Sequence, residues 1–578
     1  MDSAILQNTA TQPRHTFGLK PEGFKIAVSS LLLSTLAINI LSLALPVMTL
    51  QIYDRILPNP GSGTLPVLIG GVCLAVFLEA VLRLCRAYMI GWAGAAYEHG
   101  LSCKAMTHML NANPLHIQKT GVGEHLHRMA SIGKLKDFYN GYTLTTLAEL
   151  AFVPLFLGLI FAIAGKLAFV PASILLVFAL ASILDGYKLR RVLKTRDEAD
   201  DARFNFLVEA LEGIHTIKAF ALERFFERRY EALEERSSLA SYKVTDDTAA
   251  TFNMGTIFSH LMVAAVISIG ALFVLEGQLT TGMLITTLLL SGRMMQPVQR
   301  ALVLWAKYQD CALAREKLET LFAIPLYAPT GDYAEPKPEG RLQIENLSFR
   351  YAQDTPWILK NIRLHMEPGE CVLLSGAHGN GKTSLLQLIS GIYPAGSGQI
   401  AIDGLDLQHY PLGSRVRHVG YIRTDALIFR GTIRDNLTCF GAIDEKSAKE
   451  AASLLKVDRD ISRLPSGFDT FLSGSDTDGV PPGFKQRIAM ARVLAARPGL
   501  ILFDNADNGL DREGYELVYM LLAGLKGKSS VILVTEDRNM QALADRRFIL
   551  ENGTLHEAPH QSAGGGACIG LYDQGGRS

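Results

Sequence analysis

The feature that most constrains this chain is a series of six apolar stretches in its first half, each long enough to cross a bilayer, which takes about 20 residues in helical form. The first covers residues 26–50 and includes Pro46; the second covers 65–84. The third and fourth, 144–164 and 167–184, form a tight pair joined only by Gly165 and Lys166. The fifth covers 256–275. The sixth starts near Thr281 and fades into Ser291, Gly292 and Arg293. The residues before the first stretch are polar, and that stretch is too long for the apolar core of a secretory signal and lacks a small-residue cleavage site. It reads as an uncleaved first span.

Loop charge sets the expected orientation. Residues 86–136 carry Lys104, Lys119, Arg128 and Lys134, and residues 188–243 are denser in Lys and Arg. The alternate loops hold little more than Arg55 and Lys166. The positive-inside bias then places both long loops and both termini in the cytoplasm. Within the second loop, 203–233 has no proline, one glycine and apolar residues at helical spacing, including Phe206, Leu207, Ala210, Ile214 and Ile217. Helical extensions of the spans are expected there.

Hydrophobic residues make up 48% of the 578, too many for a wholly soluble protein and too few for one that is all membrane. The balance lies after residue 324. Residues 325–340 carry Pro325, Pro329, Pro336 and Pro338 and read as a linker. From 341 to about 558, short apolar strands alternate with helical segments, the pattern of an α/β domain. The Gly-rich 559–578 reads as a disordered tail. The expected division is therefore an N-terminal segment 1–25, a membrane domain 26–324, the linker, the α/β domain and the tail. Net charge is zero, which leaves no basic footprint for nucleic acid. The seven cysteines are scattered and contain no CxxC pair, so they form neither a disulfide framework nor a zinc site.

The chemistry lies in the second half. The strand 371–375 runs into Gly376, Ala377, His378, Gly379, Asn380, Gly381, Lys382 and Thr383, with Ser384 opening a helix. This is GxxxxGK[ST] in the strand–loop–helix setting the motif requires. Glycines let backbone N–H groups turn inward around phosphate oxygens, and the helix points its positive end at them. Lys382 is expected to reach the β- and γ-phosphates of ATP and the Thr383 hydroxyl to ligate Mg²⁺. A second apolar strand, 500–504, ends in Asp504, expected to hold Mg²⁺ through water. His378 either tunes nucleotide affinity or fills a tolerant loop position.

These residues resemble the ATP-binding cassette (ABC) family, over nearly the whole chain. Residues 485–492 are similar to the helix that follows the family signature, 508–511 to the loop ending in Asp511, and Tyr351 to the aromatic that stacks on adenine. The membrane half resembles one branch, the permease-ATPases of type I secretion, in three segments: 48–58, 213–219, and 277–282 running on to 290–293. The resemblance implies a membrane α-helical part with six transmembrane helices plus a cytosolic α/β P-loop ABC ATPase domain. It further implies a dimer in the bacterial inner membrane, export of an unfolded polypeptide, and a periplasmic adaptor with an outer-membrane channel. An N-terminal peptidase-like domain, found in some relatives, is not expected in the residues before the first span.

The same resemblance exposes four departures. Asn505 stands where the family has its catalytic Glu, Glu536 at the switch His, and Thr424 at the Gln that senses Mg²⁺. The signature Leu-Ser-Gly-Gly-Gln reads Val480, Pro481, Pro482, Gly483, Phe484. An amide cannot take a proton from water, and losing a positioned base costs about 10²–10⁴ in rate. The prolines remove two N–H donors but are tolerated at a helix start. With Lys382, Thr383, Asp504 and Asp511 intact, the expectation is an exporter half that binds ATP and Mg²⁺, does not turn ATP over alone, and pairs with a catalytically complete half-transporter. The alternatives are export of a lipid or small molecule, and a non-transporting regulatory membrane subunit that only binds ATP.

Overall fold

The computed structural model describes residues 24–58, 63–139, 141–326, 336–352, 354–411, 413–474 and 479–558. The N-terminal segment up to residue 23, linker residues 327–335 and the tail lie outside the described residues. The chain divides into two units, one ending at Pro325 and the other running from Leu326, with Asn113–Leu115 grouped in the second.

In the first unit every one of the six apolar stretches is helical, and prolines set where the helices break. The first stretch forms Phe24–Leu41, turns at Ser42 and Leu43, and resumes as Ala44–Gln51 and a π-turn, Ile52–Ile56. Pro46 has no N–H to give the carbonyl of Ser42, so the ladder cannot run through. The third stretch divides into Tyr142–Leu150 and Val153–Ala164, with Pro154 in the first turn of the second piece. A single 3₁₀ turn, Gly165–Ala168, connects it to Phe169–Glu212. The second, fifth and sixth stretches belong to the long helices Leu65–Asn111, Glu223–Leu275 and Thr281–Phe322.

Residues 203–233 form the expected helical extensions of two spans, with a reversal between them: the chain turns between Glu212 and Glu223, through Gly213 and a short helix, Ile214–Ala219, with Ala221 at φ +52°. The reversal lets the flanking helices pair, Arg203 bonding Glu234 at 2.9 Å and Phe206 stacking on Phe226. Helical periodicity on both sides of a turn looks continuous in sequence. By length and composition alone, four segments qualify as membrane spans: Ser29–Ile56, Leu65–Asn111, Val122–Ser182 (which holds both the third and fourth stretches) and Glu223–Leu275. The sixth stretch does not qualify. Its helix carries Arg293, Gln296, Gln299 and Arg300, and buries Leu290, Met294 and Met295 against other helices.

The segments 48–58 and 277–282 meet. The Asp54 carboxylate accepts from the Thr280 hydroxyl at 2.8 Å and from the Gly282 N–H at 3.1 Å. Thr280 in turn caps the Thr281–Phe322 helix by accepting from the Met283 N–H. A Cβ on Gly282 would overlap the Asp54 carboxylate, which is why glycine stands there.

The second unit contains three sheets. Strands β1 (Leu342–Phe349), β2 (Leu359–Met366), β4 (Ser397–Ile402) and β5 (Leu405–Asp406) form an antiparallel sheet in the order β2-β1-β4-β5. The central sheet holds β3 (Cys371–Ser375), β6 (Val419–Arg423), β9 (Leu500–Asp504), β10 (Ser530–Val534), β11 (Arg546–Glu551) and β12 (Thr554–Ala558), in the order β12-β11-β3-β10-β9-β6. It is parallel except for its β11–β12 edge. Strands β7 (Gly431–Thr432) and β8 (Phe471–Leu472) make a small pair. The inner strands β3, β9 and β10 are largely apolar because both faces are covered, with Ser375, Asp504 and Ser530 at their ends. Leu373, Ile501, Phe503, Val531 and Leu533 enter one core cluster; Val372, Leu374, Leu500, Leu502, Ile532 and Val534 enter the other. The parallel order brings the carboxyl ends of β3, β10, β9 and β6 side by side, where open α/β sheets place their ligands.

Candidate functional site

The loop after β3 is built by glycines that no other residue can replace cheaply. Gly376 lies at φ +147° and Gly381 at φ +93°. A Cβ on Gly376 would overlap the carbonyl of Leu550, and one on Gly381 would press on Ile358. The helix Lys382–Ile389 starts directly after Gly381, two residues earlier than the sequence suggested, because Gly381 takes the left-handed cap conformation. Asn380 donates from Nδ2 to the Leu550 carbonyl at 2.9 Å, tying the loop to β11. Lys382 Nζ donates to the carbonyls of Gly376 at 2.7 Å and Ala377 at 3.0 Å, so its ammonium lies within the loop's concavity.

Two strands away, Asp504 is 4% exposed at the end of β9. Its carboxylate accepts from the Thr383 hydroxyl at 3.3 Å and from the Tyr421 hydroxyl at 2.9 Å. Burial and the adjacent Asp504 charge push the Tyr421 hydroxyl well above the usual phenol range, so it stays a donor. Thr383 and Asp504 are hard oxygen donors, paired beside a lysine and a nest of N–H groups, a set that fits a Mg²⁺–nucleotide. Tyr351 bonds Ser384 through its hydroxyl at 2.8 Å and packs edge-on against Phe349 and Tyr393. The structure thus brings together Tyr351, Gly376–Ser384 and Asp504.

The replaced positions are equally well placed. Asn505 follows Asp504 directly, at φ +49°, a left-handed conformation asparagine tolerates well; its N–H donates to Val534 at 2.8 Å. Thr424, after β6, donates its hydroxyl to the Asp504 carbonyl at 2.8 Å, so the short side chain is spent on the neighbouring strand. Glu536, after β10, lies with its Oε1 3.0 Å from His378 Nε2, both side chains exposed. The loop histidine whose role was open in the sequence therefore has a partner, and that partner is the acid at the switch position.

Val480–Phe484 and Asp511 form a separate group within this unit. The helix Pro482–Ala495 has Pro481 as its cap and Pro482 in its first turn. Val480, Pro481, Pro482 and Gly483 line one cleft with Asp511. Phe484, 6% exposed, turns into the core beneath the Arg487 guanidinium. Asp511 caps its own helix, Arg512–Leu525, by accepting from the Gly514 N–H at 2.9 Å.

Several contributors had no sequence signal. Tyr421 reads only as a strand tyrosine. Gln486 donates to the carbonyls of Arg423 and Ala506, joining the ends of β6 and β9. Asp507 accepts from the Thr535 hydroxyl at 2.7 Å, while its other oxygen is buried without a hydrogen-bond partner. Burial holds its carboxyl above the usual range, assisted by Asp537 and Glu536 and opposed by the Thr535 bond. A carboxyl raised on folding contributes stability that is present below its unfolded pKa and lost as pH rises through the folded one. Asp507→Asn should therefore melt at a higher temperature than the parent at pH 7.5, with the gain shrinking as pH falls towards 4. A variant less stable than the parent at pH 7.5 would show that the ionised carboxylate is needed.

Residues 28–298 match the ABC transporter transmembrane region, and residues 359–508 match the ABC transporter domain. The chain is 29% identical over 534 residues to the cyclolysin secretion/processing ATP-binding protein CyaB of Bordetella pertussis, covering 92% of this chain and 74% of that one. It is 28% identical over 536 residues to the Toxin RTX-I translocation ATP-binding protein of Actinobacillus pleuropneumoniae, and 28% over 536 to the alpha-hemolysin translocation ATP-binding protein HlyB of Escherichia coli. Both matches cover 92% of this chain and 75% of the relative. In fold it resembles a bacterial Atm1-family ABC exporter solved with ATP bound, with a TM-score of 0.80 at 19% identity over 92% of this chain and 94% of the other.

Proposed function

We infer, for a chain that belongs to the ABC transporter family and is related to the ATP-binding permeases of type I secretion, that it is an exporter half which binds ATP and leaves hydrolysis to a partner subunit. One observation carries the reading: Lys382, Thr383 and Asp504 are assembled around the phosphate loop, while the residue after Asp504 is an amide. Lys382 would move from the loop carbonyls to the β- and γ-phosphates, Thr383 and Asp504 would hold Mg²⁺, and Tyr351 would meet the adenine. Mg²⁺ would supply charge neutralisation between the phosphates. Glu536, 3.0 Å from His378, joins the switch loop to the phosphate loop.

ABC cassettes pair head to tail, so each nucleotide lies between one subunit's phosphate loop and the other's signature. In a homodimer both sites would lack base, switch and signature. In a heterodimer with a complete half-transporter, the partner's phosphate loop would carry the catalytic set, opposite Val480–Phe484 of this chain. The cargo in this reading is a polypeptide, passed to a periplasmic adaptor and an outer-membrane channel across the inner membrane, with both termini cytoplasmic. Solubilised from its native membrane under mild detergent, the tagged chain should bring down a second ABC half-transporter in equal amount. Recovery of a pure homodimer with substantial ATPase activity would overturn the reading.

A further inference from the structure

The helices of the first unit enclose a small polar cavity that the nucleotide chemistry does not use. Arg83, Glu149, Arg293, Gln296 and Arg300 line it, together with Asn39. Its walls also include Ile38 and Phe156, both buried in the apolar stretches, so the cavity lies at the level of the spans. The Glu149 carboxylate is 8% exposed and is taken twice: Arg86 approaches at 2.9 Å, and Arg300 bonds its other oxygen. Arg83 is held by Glu79, one turn away on its own helix. Four guanidiniums therefore share two carboxylates. Arg293 has no hydrogen bond or ion pair among the described residues, although its helix, Thr281–Phe322, packs against all four of the candidate spanning segments. Arg293 stands where the sixth apolar stretch ends, and an arginine left unneutralised among apolar helices marks a ligand pathway or pairs with a partner.

We propose that this cavity is a carboxylate-binding site, and that its occupant is an acidic side chain of the exported polypeptide. A guanidinium grips a carboxylate through two parallel N–H bonds, and Asn39 and Gln296 add uncharged donors beside Arg293. The site is small and partly open, with room for a carboxylate between the guanidiniums. Asn39, 9% exposed, and Phe156, 2% exposed, close one side of the site, while Gln296 lies at its open side. The assignment of a peptide occupant rests on the polypeptide-export reading above; the positive excess at Arg293 does not.

The test uses the full chain in nanodiscs of phosphatidylcholine only, with fluorescein-labelled hexaglutamate and hexaglutamine as probes and fluorescent ATP binding measured on the same samples. Hexaglutamate should bind and hexaglutamine should not, and Arg293→Gln should weaken hexaglutamate binding at least tenfold while ATP binding is unchanged. If Arg293→Gln fails to fold, Gln296→Glu supplies a carboxylate within the cavity and should produce the same loss. Equal hexaglutamate binding by parent and variant overturns the proposal. So does native mass spectrometry that finds phosphatidylglycerol retained by the parent and not by the variant in mixed-lipid discs, since the occupant would then be a lipid head group. Absence of hexaglutamate binding by the parent chain, with its ATP binding intact and turnover at background, removes this proposal alone; peptide binding by the parent alongside autonomous ATP turnover removes the non-hydrolytic reading alone.

Discussion

Purified alone, the chain should bind ATP and turn it over at background. Water attacks the γ-phosphorus as the β–γ bond breaks, and its proton needs a base to receive it, which the amide of Asn505 cannot be. That single loss costs about 10²–10⁴ in rate. The altered signature withdraws a hydroxyl and N–H donors from the opposite side of a homodimer's site, so the combined loss should exceed that range. Lys382→Ala should weaken ATP binding about 10- to 100-fold, the value of a charge-assisted hydrogen bond pair. Asn505→Glu by itself should restore little, because Glu536 remains at the switch and Val480–Phe484 at the signature. Turnover by the parent near that of a complete exporter would mean that another group serves as base and that the reading of the replaced positions is wrong. Binding unaffected by Lys382→Ala would remove the phosphate loop from the site.

Glu149→Ala should be the most damaging single change in the membrane unit. It leaves Arg86, whose side chain is 11% exposed, and Arg300 without their shared carboxylate. Removing one partner of a buried ion pair costs about 3–5 kcal/mol, because the remaining charge stays buried and uncompensated. Thermal unfolding in detergent should show the loss directly, with reduced yield from membranes. Glu149→Gln should fall between the two, since an amide oxygen still accepts hydrogen bonds but does not neutralise charge. If Glu149→Ala melts with the parent, water or another acid satisfies the arginines, and the ion pairs are incidental.

The sequence by itself determined the two halves and the identity of the phosphate loop. Spans and strands are written in the periodicity and length of apolar runs, which depend on local composition. The P-loop is a contiguous motif whose glycines, lysine and threonine follow one another, so its local geometry is encoded in order along the chain. The position of Asn505 after an apolar strand ending in Asp504 was legible for the same reason.

Tertiary structure decided what residues distant in sequence do to one another. Residues 203–233 read as helical extensions with no sign of where one ends and the next begins, because periodicity is blind to a turn that preserves it on both sides; the reversal over 213–222 follows from two long helices packing together. The sixth stretch looked weak because helix burial, and not lipid exposure, covers its apolar side. Tyr421 joined the Asp504 site only because β6 lies beside β9. His378 and Glu536 met because β10 lies beside β3, which sets the loop after one strand against the loop after the other. Glu149 gained two arginines from two other helices, and Arg293 gained no carboxylate among the described residues. Side-chain chemistry is fixed by the sequence, but whether a charge is neutralised depends on which elements fold against it, and that is set by packing over the whole chain.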